Sequence, residues 1–200
     1  MKKHCYVLLT NTDTSFSRML RAVTGYSFTH SSFSLEDPTQ LLYSFARLHK
    51  DFPLPAGFVR EAPGHGTMGR FPNAPCALYE IEADEASWLK ARRLIQEMER
   101  QAPLYKYNIC GLPLIRMGIP LNRPYHMVCS QFVAYVLEAS GILSLPKPYA
   151  LFTPMDFTAL AGLKLIFRGK LGDLSSTPAV FPLWNPLSDL SDSFPALGMK

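Results

Sequence analysis

The chain is predicted to be an α+β domain, with an antiparallel β-sheet packed against helices. Three observations carry that prediction. Short runs rich in apolar, β-branched or aromatic residues recur near 5–10, 26–35, 41–48 and 76–82. Two longer stretches, from Asp84 to about Gln101 and from Cys129 to Ser140, space their apolar residues at the period of a helix instead. The second and third runs are joined by Glu36-Asp37-Pro38-Thr39, a turn signal that makes 27–48 a hairpin.

In chain order, Cys5-Tyr6-Val7-Leu8-Leu9-Thr10 is the first predicted strand. A polar turn follows, and Phe16, Met19, Leu20 and Val23 at helical spacing predict a helix closed by Gly25. In Tyr26–Leu35, Phe33 and Leu35 alternate with Ser32 and Ser34, so His30 shares the polar side of a half-buried strand. Leu41–Leu48 returns. Residues 51–75 are rich in Pro and Gly and read as long loops, with a short strand at Phe58-Val59-Arg60. Gly64–Gly69 lacks the spacing of a phosphate-binding loop. Cys76–Glu82 is a third strand, and Asp84 caps a helix buried along Trp88, Ala91, Leu94, Ile95 and Met98. Residues 105–124 are mixed in pattern. Gly141 stops the helix that begins at Cys129, and Leu163–Gly169 is a late strand. The expected organisation is one domain over 1–172 and a Pro/Ser-rich tail over 173–200.

Composition narrows the function classes. Two hundred residues, nearly half of them apolar, can build a core without disulfide staples. The net charge of +4 comes from scattered basic residues, which gives no reason to expect a nucleic-acid partner. Cys5, Cys76, Cys110 and Cys129 are far apart, as reduced thiols of a cytoplasmic protein would be. His126-x-x-Cys129 has metal-ligand spacing but no second pair, so no metal or other cofactor is expected. The basic start Met1-Lys2-Lys3-His4 precedes an apolar run too short for an export signal, and no stretch is long enough to span a membrane.

The chemistry is expected at Cys129. A cysteine in the first turn of a helix meets unpaired N–H groups and the positive end of the helix dipole, which favour the thiolate. The thiolate is the nucleophile, so such a position activates the residue. The alternative is a small buried residue on an amphipathic helix.

Thr29-His30-Ser31-Ser32-Phe33-Ser34, followed far downstream by Cys129-Ser130-Gln131-Phe132-Val133, resembles the circularly permuted branch of the NlpC-type, papain-like cysteine peptidases and amidases. That branch includes relatives of lecithin:retinol acyltransferase. In it the histidine strand precedes the cysteine helix, the order found here over about residues 5–140. The resemblance implies a papain-like antiparallel sheet or barrel packed on helices, with Cys129 as nucleophile and His30 as general base. It also implies a hydrolase or acyltransferase working on an amide or ester through a thioester. The substrate would be a small peptide, a peptidoglycan-derived amide, or an acyl or lipid-like molecule.

A third polar group normally orients the imidazole. The returning strand has no carboxylate where the resemblance implies one, and Ser44 is the nearest polar side chain. A five-residue turn over 36–40 would set Ser44 opposite Ser32, on the side His30 uses; a four-residue turn would not. Glu80 and Glu61 are the alternatives, while His49 and His126 compete for the role of base. A neutral serine would stabilise the imidazolium poorly. That favours a rival reading: a ligand-binding module on the same scaffold, with catalysis absent or weak.

Overall fold

The computed structural model describes residues 2–12, 27–48 and 55–174. The helix expected near 16–23, His49 and the chain beyond Leu174 lie outside these residues. The architecture is α+β, built on one six-stranded antiparallel sheet in the order β4-β3-β2-β1-β5-β8. Its strands are β1 (Lys2–Thr10), β2 (His30–Ser34), β3 (Leu42–Arg47), β4 (Ala56–Glu61), β5 (Pro75–Asp84) and β8 (Lys164–Lys170). The short strands β6 (Lys106–Tyr107) and β7 (His126–Met127) pair in parallel as a separate ribbon. The helices are α1 (Gly66–Gly69), α2 (Glu85–Arg100), α3 (Gly111–Arg116) and α4 (Cys129–Ser140).

The middle of the sheet is apolar because both faces are covered. Cys5, Val7 and Leu9 of β1 join Phe33, Phe45 and Phe58 in the main core, against Trp88, Ile95, Phe132 and Val133 of α2 and α4. The residues between them face a second cluster, in which Leu8 meets Leu42, Met68, Leu78 and Leu171. This second cluster explains why the serine side of β2 is not solvated as its alternation suggested: Ser32 and Ser34 are buried.

Both long helices begin and end as their sequences dictate. The Asp84 carboxylate accepts from the Ser87 N–H (2.9 Å) and so caps α2. The Trp88 indole N–H donates to the Leu35 carbonyl (3.0 Å), fixing α2 to the hairpin. Gly141 closes α4 with φ of 82°, a left-handed conformation that costs glycine little.

The sheet is open, which corrects the expectation that it could close as a barrel. Its two edges do not meet. β8 is largely exposed and carries Lys164, Arg168 and Lys170, charges that discourage further strand pairing. The β4 edge is covered by the chain around Tyr105 instead. Gly57 permits this approach, since a Cβ there would lie 2.4 Å from the Tyr105 carbonyl oxygen. The Gly64–Gly69 segment, expected as loop, makes one helical turn that buries Met68.

Candidate active site

The two motif residues meet. Cys129 is the first residue of α4, whose face lies on β2 and β3. Phe132, one turn on, sets its ring against Phe45 (5.7 Å) and Phe58 (5.5 Å), and each such pair contributes about 0.5–1.5 kcal/mol beyond burial. That packing fixes the helix start over the beginning of β2, where His30 stands. The His30 ring is in hydrogen-bond contact with the Cys129 thiol.

Glu61, the last residue of β4, completes the arrangement. Its Oε2 lies 2.9 Å from His30 Nε2. Ser32, two residues along from His30, donates its hydroxyl to the same carboxylate oxygen (2.9 Å) and lies 3.3 Å from Nε2. With Nε2 engaged by Glu61, Nδ1 is the nitrogen left for the thiol. The His30 and Glu61 side chains are only 16% and 11% exposed, so water screens their attraction weakly.

Ser44 does not orient the histidine. Phe33 pairs with Tyr43, so Ser44 does sit opposite Ser32, in the register of the five-residue turn. Its buried hydroxyl donates instead to the Ser31 backbone carbonyl (2.7 Å), while His30 Nε2 is taken by Glu61. Ser44 therefore ties β3 to β2. Glu80 is directed elsewhere, with its carboxylate 3.2 Å from the His4 ring. His126 Nδ1 lies 2.7 Å from the Pro124 carbonyl oxygen in an exposed position.

The charges reinforce one another. Burial alone would raise the Cys129 pKa, but the bond and positive charge of His30, with the Ser31 backbone beside it, bring it below the usual thiol value. Burial would likewise lower the His30 pKa, yet the Glu61 carboxylate and the thiol together hold it well above the ordinary imidazole value. Glu61 is held below the usual carboxylate value: burial opposes this, while the His30 charge and the bonds from His30 and Ser32 outweigh it. The shifts all favour the charged forms, thiolate, imidazolium and carboxylate, and the three groups titrate as a coupled set. Cys5 and Cys76 differ, since burial without a cationic partner pushes their thiols up to about 12 and about 11.

Two further residues had no motif to reveal them. Tyr107 lies across the β6–β7 ribbon from Met127, and its hydroxyl contacts both the thiol and the backbone N–H of Cys129. Burial and the neighbouring sulfur raise the pKa of that phenol well above its ordinary value, so it stays a proton donor. Gln131 braces the start of α4. Its Oε1 accepts from the Val128 N–H (2.9 Å), and its Nε2 donates to the Ala150 carbonyl (2.8 Å). Neighbouring Ser130 donates to the Phe152 carbonyl (2.6 Å). The sequence placed Tyr107 in a stretch without periodicity and Gln131 at a variable position of the motif.

A pocket opens beside the thiol. Phe28, Leu112, Ile115, Val128, Phe152 and Pro154 supply its apolar walls, with Tyr107 and Cys129 at one side. Arg116 is the one basic residue lining it. A buried thiol of lowered pKa, an imidazole beside it, a carboxylate on that imidazole and an adjoining pocket are the arrangement that acyl transfer would need. No family model, curated protein or solved structure matches the chain. Among the described residues, no helix is long and apolar enough to cross a membrane.

Proposed function

We propose that the protein is a cysteine-dependent hydrolase or acyltransferase that cleaves an amide or ester through a thioester on Cys129. The observation that carries this reading is the Cys129–His30–Glu61 series, with the thiol pKa lowered and the imidazole pKa raised. The thiolate attacks the substrate carbonyl. The imidazolium of His30 then protonates the leaving amine or alkoxide, and Glu61 holds the ring in the orientation that both steps need. In a hydrolysis, neutral His30 next takes a proton from water, the resulting hydroxide attacks the thioester, and the thiolate leaves. In an acyl transfer, an alcohol or amine takes the place of water.

The oxyanion of the tetrahedral intermediate forms beside the Cys129 N–H, where the Tyr107 hydroxyl also lies. Tyr107 is thereby the second oxyanion donor. The apolar walls favour an acyl group over a sugar or a charged peptide for the part of the substrate next to the scissile carbonyl. The ligand-binding alternative drew its support from a missing carboxylate, and Glu61 supplies one.

The test is a burst experiment with a p-nitrophenyl acyl ester, read by intact-protein mass spectrometry. The acyl mass is expected on the wild-type protein, confined to the peptide that carries Cys129, and absent from Cys129→Ala. Tyr107→Phe should still alkylate with iodoacetamide but acylate more slowly, by about a hundredfold to a thousandfold, the usual effect of losing one oxyanion donor. No adduct on Cys129 with any acyl ester or amide, from protein whose thiol is reduced, would reject the reading.

A further inference from the structure

The segment that walls the pocket has an outer side that this chemistry does not use. The chain leaves the β6–β7 ribbon after Tyr107 and rejoins it at His126, so that ribbon closes the base of the excursion. The Lys106 N–H donates to the Tyr125 carbonyl (2.8 Å), and the Tyr105 and Tyr125 rings stand 5.3 Å apart. Tyr125 makes the return in a left-handed conformation, φ 57°, which is unusual for an aromatic residue. Within the excursion, α3 turns Leu112 and Ile115 toward the pocket. The residues around α3 point outward: Met117 is 68% exposed, and Ile109, Ile119 and Tyr125 are between 43% and 46% exposed. Large apolar side chains exposed along one short segment mark a contact surface.

The charge of that segment identifies the contact. From Gln101 to Leu137 the sequence contains no Asp or Glu, while Lys106, Arg116 and Arg123 all lie within it and are exposed. Neither Arg116 nor Arg123 has a carboxylate partner among the described residues. A second copy of the same surface would bring like charges together, which opposes a self-contact. Apolar tips flanked by unpaired basic groups suit an anionic lipid interface, where the tips enter the acyl boundary and the cations meet the headgroups.

We infer that the 108–125 excursion docks the protein on an anionic lipid surface, with the Cys129 pocket opening beside the contact. Only the purpose of that docking, delivery of an acyl-bearing amphiphile to the thiol, rests on the function proposed above. The docking stands or falls separately.

The experiment is co-sedimentation of the full-length protein with vesicles of phosphatidylcholine alone, or of phosphatidylcholine with one-third phosphatidylglycerol. Binding is expected to the second vesicle and to weaken in high salt. Met117→Glu combined with Ile119→Glu should lower the affinity about tenfold or more, since it places two acids in an apolar contact. Arg116→Gln with Arg123→Gln should reduce the preference for the anionic vesicle. Leu165→Gln with Ile166→Gln, exposed apolar residues on the far edge strand, should change nothing. Cys129→Ser should sediment as the wild type does, so an inactive thiol and an absent membrane contact are distinguishable results. The inference is overturned by no binding to anionic vesicles, by an equal loss in the Leu165/Ile166 variant, or by a dimer in free solution that the Met117/Ile119 variant dissociates.

Discussion

Four cysteines in one reduced chain are expected to behave in three different ways, and the difference lies in what stands beside each sulfur. Cys129 is buried but faces an imidazolium. Cys5 and Cys76 are buried with no such partner, and Cys110 is exposed. Alkylation rates measured by peptide mapping from acid to alkaline pH should separate them. Cys129 should react at lower pH than an ordinary thiol does. Cys110, exposed at the surface, should react without unfolding, and Cys5 and Cys76 should stay unmodified until the protein unfolds. Glu61→Gln removes the charge that sustains the imidazolium. It should therefore shift the acid limb of the Cys129 profile to higher pH, while Ser44→Ala leaves that limb in place. A limb unmoved by Glu61→Gln would mean that the carboxylate does not control the thiol. His30 and Cys129 were legible because each stands in a short local pattern, a histidine on a strand and, far downstream, a cysteine at a helix start. Glu61 was one of several candidates, because a carboxylate at the end of a strand carries no pattern that says which imidazole it will meet.

At the scale of the element, α4 must begin at one point in space if its first residue is to meet β2. Its inner face is secured by Phe132, Val133, Val136 and Leu137, all fully buried. Its N-terminus is secured by Gln131, whose two amide bonds tie the buried Val128 N–H and the Ala150 carbonyl. Gln131→Ala would leave both backbone groups without partners, each at a cost of about 1–3 kcal/mol. Urea unfolding should show a loss of that order, and the alkylation of Cys129 should slow even where the protein is fully folded. Full stability in Gln131→Ala would mean that water replaces the amide. The apolar stripe of α4 and its glycine stop were readable from spacing. The brace was not, because a glutamine at that position looks like any polar residue until Ala150 is brought alongside it.

At the scale of the molecule, the buried pair makes stability depend on pH in two opposite ways. The folded Glu61 pKa lies below its ordinary 4.5, so its contribution is present above that pH and is lost as pH falls through the folded value. The folded His30 pKa lies above its ordinary 6.5, so its contribution is complete below that pH and is lost as pH rises through the folded value. The Tm difference between the wild type and Glu61→Gln should therefore be widest between about pH 4.5 and 6.5 and narrow on both sides. A difference that stays constant across that range would show that the two groups are not paired in the folded protein.

The sequence by itself determined the α+β class, the hairpin, the two long helices with their cap and stop, and the two residues on which the proposed chemistry rests. Each of these is written in local spacing, and local spacing is what a strand or helix reads. Only the tertiary structure decided that the sheet stays open, that a second apolar cluster buries the serine side of β2, and that Glu61 rather than Ser44 stands behind His30. Those outcomes depend on which distant segments meet. A single hydroxyl proton and a single carboxylate go to whatever neighbour the finished packing provides.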